Sequence, residues 1–424
     1  MMDVEIPEQL IELIDGNEAA RDIFFLLKIK PGISKKKVTE YLKDIKESIS
    51  VEVENWTGME GVNTELIHYS MVGCLRIPSN SMVSCSFPPS LSKCHLYSLY
   101  SDGPLIQSVS VDDNSEGTAG STLWQLPCVE FESIWPSLIY DDNIKNELLS
   151  YLISLIDLSE RGIDTSIISV NRLMLLLGPP GTGKTSLCKG LAQLSSIILN
   201  DKFSKCAMIE VNSHSLFSKW FSESGKLVAR LFEQAEEMAS DPSTLLFLLI
   251  DEAESLCASR SRSSSGADPT DSIRAVNALL TQLDKLRRLP NVFVLCTSNL
   301  GDSIDGALID RSDISRVVPI PGERALTAIY RSCIQQLIKV YWILLSSINT
   351  VFQIGVISPT IDTVVDNFCA TLSSSSLSLS ARSIRQIPAV AYAKCMKKSM
   401  DLETFMPFLH EAIQEKKEKL TAHV

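Results

Sequence analysis

Hydrophobic and polar positions divide the chain into three kinds of text. From about 125 to 320, short and nearly unbroken apolar runs alternate with amphipathic stretches. The pattern predicts a helix around 143–157, a strand at 172–177, a helix from Thr185 and a strand at 207–212. A helix at 224–240, a wholly apolar strand at 245–250, a helix over 271–286 and a strand at 292–297 follow. Continuous apolar strands separated by helices indicate a parallel sheet covered on both faces. Upstream, charged helical text (7–30 and 33–50) mixes with strand-like runs at 50–56 and 75–87, a mixed α+β domain over 1–105. Between the two, 106–124 is rich in Ser, Gly and Asp and reads as a linker. The large α/β domain is therefore expected over 125–320 and a small helical domain over 321–424. In the latter, Phe405, Leu409 and Ile413 share one helix face, and the Ser run 373–380 reads as a loop. No repeat of 20 to 50 residues is present, which removes solenoids and propellers.

Composition narrows the class without changing this outline. The chain has 424 residues, 45% hydrophobic and 21% charged, the profile of a globular protein of two or three domains. Lys and Arg number 39 against 51 Asp and Glu, a net charge of -12, which counts against a direct grip on nucleic acid. The start, MMDVEIPEQL, is acidic and lacks the apolar core of a signal peptide. Ser346, Ser347, Asn349 and Gln353 interrupt the apolar stretch 340–357, so no membrane span is expected and the chain reads as soluble and intracellular. Eleven cysteines are scattered singly with no C-x-x-C, as suits reduced, buried thiols rather than disulfides or a zinc site.

Chemistry enters at residues 178–185, GPPGTGKT, which match G-x-x-x-x-G-K-[ST] directly after an apolar strand and at the opening of a helix. Gly178, Gly181 and Gly183 let the loop wrap so that backbone N–H groups face phosphate oxygens, with Pro179, Pro180 and Thr182 completing it. The helix N-terminus, with Ser186 in its first turn, adds partial positive charge. Lys184 is expected on the β- and γ-phosphates, and the Thr185 hydroxyl on Mg²⁺. These residues point to a nucleoside triphosphate with Mg²⁺.

A second element stands 67 residues after Lys184, where LLFLLIDE ends a buried strand in two carboxylates. Asp251 is expected to help hold Mg²⁺ and Glu252 to act as general base on the water that attacks the γ-phosphate. Paired carboxylates at the end of a buried strand are costly without a cation, which argues for chemistry over structure. Farther on, VFVLCTSN ends another strand at Asn299, a polar side chain that can reach between the γ-phosphate and the attacking water.

Together the three elements resemble the AAA+ ATPases, with Walker A at 178–185, Walker B at 245–252 and sensor 1 at Asn299. The resemblance implies a P-loop core with a five-stranded parallel sheet between helices, a helical lid and a homohexameric ring. It also implies an arginine acting in the neighbouring subunit's site. ALIDRSD (307–313) makes Arg311 that residue, with Arg316 as second candidate.

The segments 137–149, 210–227, 268–284 and 310–313 are similar to the pachytene checkpoint protein 2 family, whose mammalian member is thyroid-hormone-receptor-interacting protein 13. In the lid, SARSIRQIP (380–388) matches the sensor 2 element, making Arg382 the expected γ-phosphate contact, with Ala381 in place of the usual Gly and Arg385 as the alternative. Trp220 and Phe221 follow the sheet's second strand, where such motors place the pore loop that grips a polypeptide. Residues 259–269 fit the second pore loop.

The resemblance implies an ATPase that switches HORMA-domain proteins from closed to open, through a HORMA-domain adaptor docked on 1–105. Its expected settings are the meiotic chromosome axis and the spindle checkpoint, in nucleus and chromosomes, with cytosol and kinetochore as further places. No membrane and no direct nucleic acid partner are expected. The alternative reading is a nucleotide-gated scaffold with little turnover.

Overall fold

The computed structural model describes residues 23–44, 47–52, 57–58, 67–74, 82–87, 94–109, 118–165, 167–211, 224–254, 269–299, 304–339, 343–344, 359–395 and 400–421. They form two compact units. One holds the described residues up to Ser137 with 144–176 and 185–315; the other holds 138–143, 177–184 and those from 316 onward.

The first unit opens with β1 (Ile23–Ile29), α1 (Lys35–Asp44), β2 (Glu47–Glu52), β3 (Thr57–Gly58), β4 (Ile67–Cys74), β5 (Met82–Phe87) and β6 (Cys94–Tyr97). One sheet is ordered β3-β4-β1-β6, with β1 antiparallel to β4 and parallel to β6; β2 and β5 form a separate antiparallel pair. Strand β1 lies in text that reads as helix and corrects that expectation. Phe25, Leu26 and Leu27 are all fully buried. Successive strand side chains point to opposite faces, so three buried in a row mark a strand covered on both sides. Its backbone partners come from residues 38 (Ile29 with Ile67) to 69 (Phe25 with Cys94) positions away, which local periodicity cannot register.

The main sheet comprises β7 (Leu105–Val109), β8 (Thr118–Leu126), β9 (Leu173–Leu177), β10 (Lys205–Val211), β11 (Thr244–Ile250), β12 (Val292–Ser298) and β13 (Ile314–Val317). Its order is β13-β9-β12-β11-β10-β8-β7. Strands β10, β11 and β12 run parallel, and every residue of β11 and β12 is buried. That is why these segments read as unbroken apolar runs. The expected five strands are present as β13-β9-β12-β11-β10, and antiparallel β8 and β7 extend them into a mixed sheet of seven.

Part of the segment read as linker, 106–124, is therefore strand. The open edge of β10 offers hydrogen bonds to text whose composition alone suggests a loop. The pairing is sealed by Trp124, whose Nε1–H donates to Glu210 Oε2 at 3.0 Å, and by Lys189, which pairs with Glu210 at 2.7 Å. Gln193 then clamps the chain leaving β8, accepting from the Cys128 N–H at 2.9 Å and donating to its carbonyl at 2.8 Å.

Helices α2 (Ile134–Ser137), α3 (Ile144–Glu160), α4 (Lys184–Ile198), α5 (Ser224–Ala239), α6 (Pro269–Leu286) and α7 (Gly306–Arg311) connect these strands. Helix α5 shows how they are held: Leu227, Val228, Leu231, Phe232, Ala235 and Ala239 form one buried stripe at helical spacing.

The second unit contains α8 (Glu323–Lys339), the short parallel pair β14 (Ile343–Leu344) and β15 (Met400–Asp401), α9 (Pro359–Ser375), α10 (Ala381–Cys395) and α11 (Leu402–Thr421). Its core includes Leu326, Tyr330, Ile334, Leu372, Ile384, Ile387 and the predicted face Phe405, Leu409 and Ile413. The Ser run is a correction, because α9 continues through Ser375. The hydroxyls of Ser373, Ser374 and Ser375 donate back to carbonyls three or four residues earlier, which satisfies them inside the helix. Ser376 is buried and shares a 2.6 Å hydrogen bond with Tyr330. No helix among the described residues is long and apolar enough to cross a membrane.

Candidate active site

The residues singled out by sequence fall on both units, and the boundary runs between consecutive residues Lys184 and Thr185. In the second unit, residues 178–183 form the loop between β9 and α4. Gly178 has φ 141°, and a Cβ there would stand 2.2 Å from the Val318 carbonyl oxygen, so only glycine fits. Lys184 is buried, and its ammonium donates to the carbonyls of Gly178 and Pro179, both at 2.8 Å. The lysine thus closes the loop from inside while Thr182 Oγ1 donates to Pro179 at 3.0 Å.

The lid meets this loop within the same unit. The Arg382 N–H donates to the Gly181 carbonyl at 3.1 Å, and its side chain is exposed. Gly181 lies so close that an added Cβ would be 3.2 Å from Arg382 Cβ and 2.7 Å from Ser380 Oγ. Arg385, one helical turn on, instead acts on the Cys333 thiol, whose pKa burial raises and Arg385 lowers. Geometry therefore associates Arg382, not Arg385, with the phosphate loop.

A pocket beside it is lined by Ile139, Tyr140, Asp141, Thr182, Pro319 and Ala381 among others. Tyr140 OH donates to the Gly183 carbonyl at 3.4 Å. Asp141 accepts from the N–H groups of Gly322 at 2.6 Å and Ala325 at 2.9 Å, fixing the start of α8 with a carboxylate at its positive end.

In the first unit, α4 begins with Thr185 and Ser186. Thr185 Oγ1 donates to Asp251 Oδ1 at 2.8 Å, and Thr297 Oγ1 donates to the same oxygen. Thr297 Oγ1 in turn accepts from the Glu252 N–H at 3.2 Å. Glu252 has φ 54°, a left-handed backbone uncommon for a residue with a side chain. The turn separates two adjacent carboxylates: Asp251 is half-buried against two hydroxyls, and Glu252 is exposed. The field of Asp251 reaches Cys188, whose thiol burial and that carboxylate push well above its ordinary pKa. The Thr185 hydroxyl and the Asp251 carboxylate are hard oxygen donors of the kind Mg²⁺ takes, and they already lie side by side.

Asn299, at the end of β12, donates to Glu254 Oε1 from its backbone N–H at 3.1 Å and from Nδ2 at 2.9 Å. Arg311, at the end of α7, forms a two-pronged pair with Asp284, Nε to Oδ1 at 2.9 Å and Nη2 to Oδ2 at 3.0 Å. The pair raises the arginine's pKa and lowers that of Asp284. Two residues later, Asp313 accepts from the N–H groups of Asn171 and Arg172, tying the end of α7 to the start of β9. Arg316, the second candidate, belongs to the second unit and lies 3.8 Å from Asp142 of that same unit. Trp220, Phe221 and the loop residues 255–268 lie outside the described residues.

Motif reading missed Thr297, Glu254 and Tyr140. Thr297 carried one usable signal, since it stands two residues before Asn299 and so shares its strand face. Glu254 and Tyr140 act through partners 45 and 43 residues away and carried none.

Comparison with known proteins decides the family. The AAA family, ATPases associated with various cellular activities, matches residues 174–320, and the TRIP13-like AAA+ ATPase lid C-terminal domain matches 322–417. The chain is similar to putative pachytene checkpoint protein 2 of Caenorhabditis elegans, 49% identical over 328 residues and 77% of each chain. The chain belongs to the pachytene checkpoint protein 2 family. Homologues of pachytene checkpoint protein 2 from Rattus norvegicus and Homo sapiens are 41% and 39% identical, over 80% of this chain and 80% of the rat protein, and over 82% and 83% for the human one.

The solved structure of C. elegans PCH-2 superposes with TM-score 0.77 at 39% identity, covering 94% of this chain and 99% of that one. A structure of an E. coli HORMA:CdnC:Trip13 complex shares the fold at TM-score 0.53 and 17% identity, covering 68% and 94%. As a pachytene checkpoint protein 2 family member the chain is an AAA+ ATPase by kinship, and that family membership implies nucleotide binding.

Proposed function

We propose that the chain is an ATP-driven hexameric remodeller that switches HORMA-domain proteins from closed to open in meiotic-axis and spindle-checkpoint control. The observation that carries the enzymatic half is the strand-end arrangement in which Thr185 and Thr297 hold Asp251 while Glu252 turns outward. The loop amides of 178–183 and Lys184 bind the phosphates of ATP. Thr185 and Asp251 would hold Mg²⁺, which would supply neutralisation of phosphate charge. Glu252 takes the proton of the attacking water, and Asn299 orients that water.

Arg382 contacts the γ-phosphate from the lid. Arg311 serves the neighbouring subunit's site by exchanging Asp284 for phosphate, a trade between two anions that suits a guanidinium fork. Trp220 and Phe221 grip the client, and residues 1–105 dock the adaptor. Kinship to the pachytene checkpoint protein 2 family supports the client class, as does the fold shared with a protein solved in complex with a HORMA protein. Nucleus and chromosomes are the proposed places of action.

The test is steady-state phosphate release by the purified chain, with and without a closed HORMA-domain protein plus adaptor, with Glu252→Gln as the blank. The blank is expected to fall by about a hundredfold or more, the scale of a lost general base, while still binding ATP. Stimulation by the HORMA protein, absent in the blank, supports the remodeller. A rate indifferent to it removes the client, and no release above the blank favours the nucleotide-gated scaffold.

A further inference from the structure

Glu254 belongs to none of the motif positions assigned above, yet its carboxylate grips Asn299 twice through one oxygen, at the backbone N–H and at Nδ2. The two residues are 45 positions apart and meet because β11 and β12 pair in parallel and end together. The second oxygen, Oε2, is buried and makes no hydrogen bond. A buried carboxylate oxygen in that condition lowers stability, so packing does not explain the residue.

The chemistry of the amide supplies the explanation. A carboxylate only accepts hydrogen bonds, so the edge of Asn299 facing it must be the NH₂ edge, and Oδ1 lies on the opposite edge. Oδ1 can accept from the O–H of a water; it cannot bond a phosphate oxygen, which is itself an acceptor.

We infer that Glu254 is a positioning residue for hydrolysis, which fixes the Asn299 amide through one Nδ2–H and the backbone N–H so that its acceptor edge orients the attacking water. The inference rests on the proposed role of Asn299 in ATP hydrolysis. Glu254 itself touches neither water nor nucleotide in this account. Its effect on turnover passes entirely through Asn299, which is what makes it separable from a structural role.

The experiment measures phosphate release against ATP concentration for the full chain and the variants E254A, E254Q, N299A and E254A/N299A. E254A is expected to lower kcat about tenfold, the scale of a lost hydrogen bond to a charged group, with the KM for ATP within about twofold. E254Q keeps an acceptor oxygen in place and should stay within about threefold of the wild type. The double variant should be no slower than N299A, because one residue acts through the other.

Should E254A fail to fold, N299D and the exchange E254Q/N299D replace it. The exchange restores an amide-to-carboxylate hydrogen bond and leaves an acceptor on the working edge, so it should recover activity that N299D loses. An unimpaired N299A overturns the underlying role of Asn299. An impaired N299A together with an unimpaired E254A, an additive double variant, or an exchange that recovers nothing overturns the inference about Glu254 alone.

Discussion

The strand ends of the main sheet and the start of the lid helix α10 solve the same problem in opposite ways. At the strand ends two acidic groups are held from elsewhere in the fold: Asp251 by Thr185 and Thr297, and Glu254 by its grip on Asn299. Asp251, Glu254 and Asn299 lie just past the ends of β11 and β12, whose residues are all buried, so their positions follow from a packed parallel sheet. Arg382 is fastened at the backbone, where its N–H reaches Gly181, and its guanidinium extends from an exposed residue. The contrast teaches which groups must stay still. The roles proposed for Asp251 and Asn299, metal ligand and water-orienting amide, lose their value if the group shifts by an ångström, whereas the role proposed for Arg382 requires it to engage and release nucleotide in every cycle.

Four substitutions would break or sharpen that comparison, beyond the tests given above. The largest effect is expected from Lys184→Ala, which removes both the proposed phosphate contact and the inner tie to the Gly178 and Pro179 carbonyls. Nucleotide affinity should fall about a hundredfold or more, read by titration with a fluorescent ATP analogue; retained affinity would remove the phosphate-loop reading.

Next comes Thr297→Val, nearly isosteric, which strips Asp251 of a hydroxyl donor and removes the hydroxyl that accepts from the Glu252 N–H. A lost buried hydrogen bond of this kind is worth about 1–3 kcal/mol, so kcat should drop by roughly ten- to a hundredfold with the chain still folded by circular dichroism. A change below twofold would mean that the strand-end network does not set turnover.

The smallest is the pair Arg382→Ala and Arg385→Ala. The first should lower kcat/KM for ATP about tenfold as a charge-assisted contact is lost, and the second should leave it within about twofold. Reversal of that order would transfer the lid role to Arg385, despite the backbone bond between Arg382 and Gly181.

Arg311 belongs to neither pattern. It sits on a short helix whose N-cap, Asp305, accepts from the Ala307 N–H at 3.0 Å, and Asp313 anchors the helix's far end. Its guanidinium is held by Asp284, a carboxylate roughly half-exposed at 53%. An ion pair so open to water is weak and exchangeable. That is the property the proposed action on a neighbouring subunit requires, and a buried partner would have denied it.

Much of the large sheet and of the phosphate loop was legible in the order of residues, because the determining interactions there are local or periodic. GPPGTGKT carries its function in eight consecutive positions, and backbone geometry converts those glycines directly into a loop of N–H groups. The strands β9, β11 and β12 announce themselves because a strand buried on both faces must be apolar throughout. The carboxylates at 251 and 252 and the amide at 299 were legible as chemistry for the same reason: polar groups ending such strands demand an explanation.

Tertiary structure alone decided what those groups do to one another. That β1 is a strand and that 105–109 and 118–126 join the main sheet depended on hydrogen-bonding edges supplied by other segments. Which carboxylate faces a threonine, which turns out to solvent and which grips an amide depended on a left-handed turn at Glu252 and on the register of β11 against β12. Hydrogen bonds saturate and point in one direction. A list of residue types therefore states what can bond, and only the folded chain, by bringing residues 45 positions apart within 3 Å, selects which bonds are made.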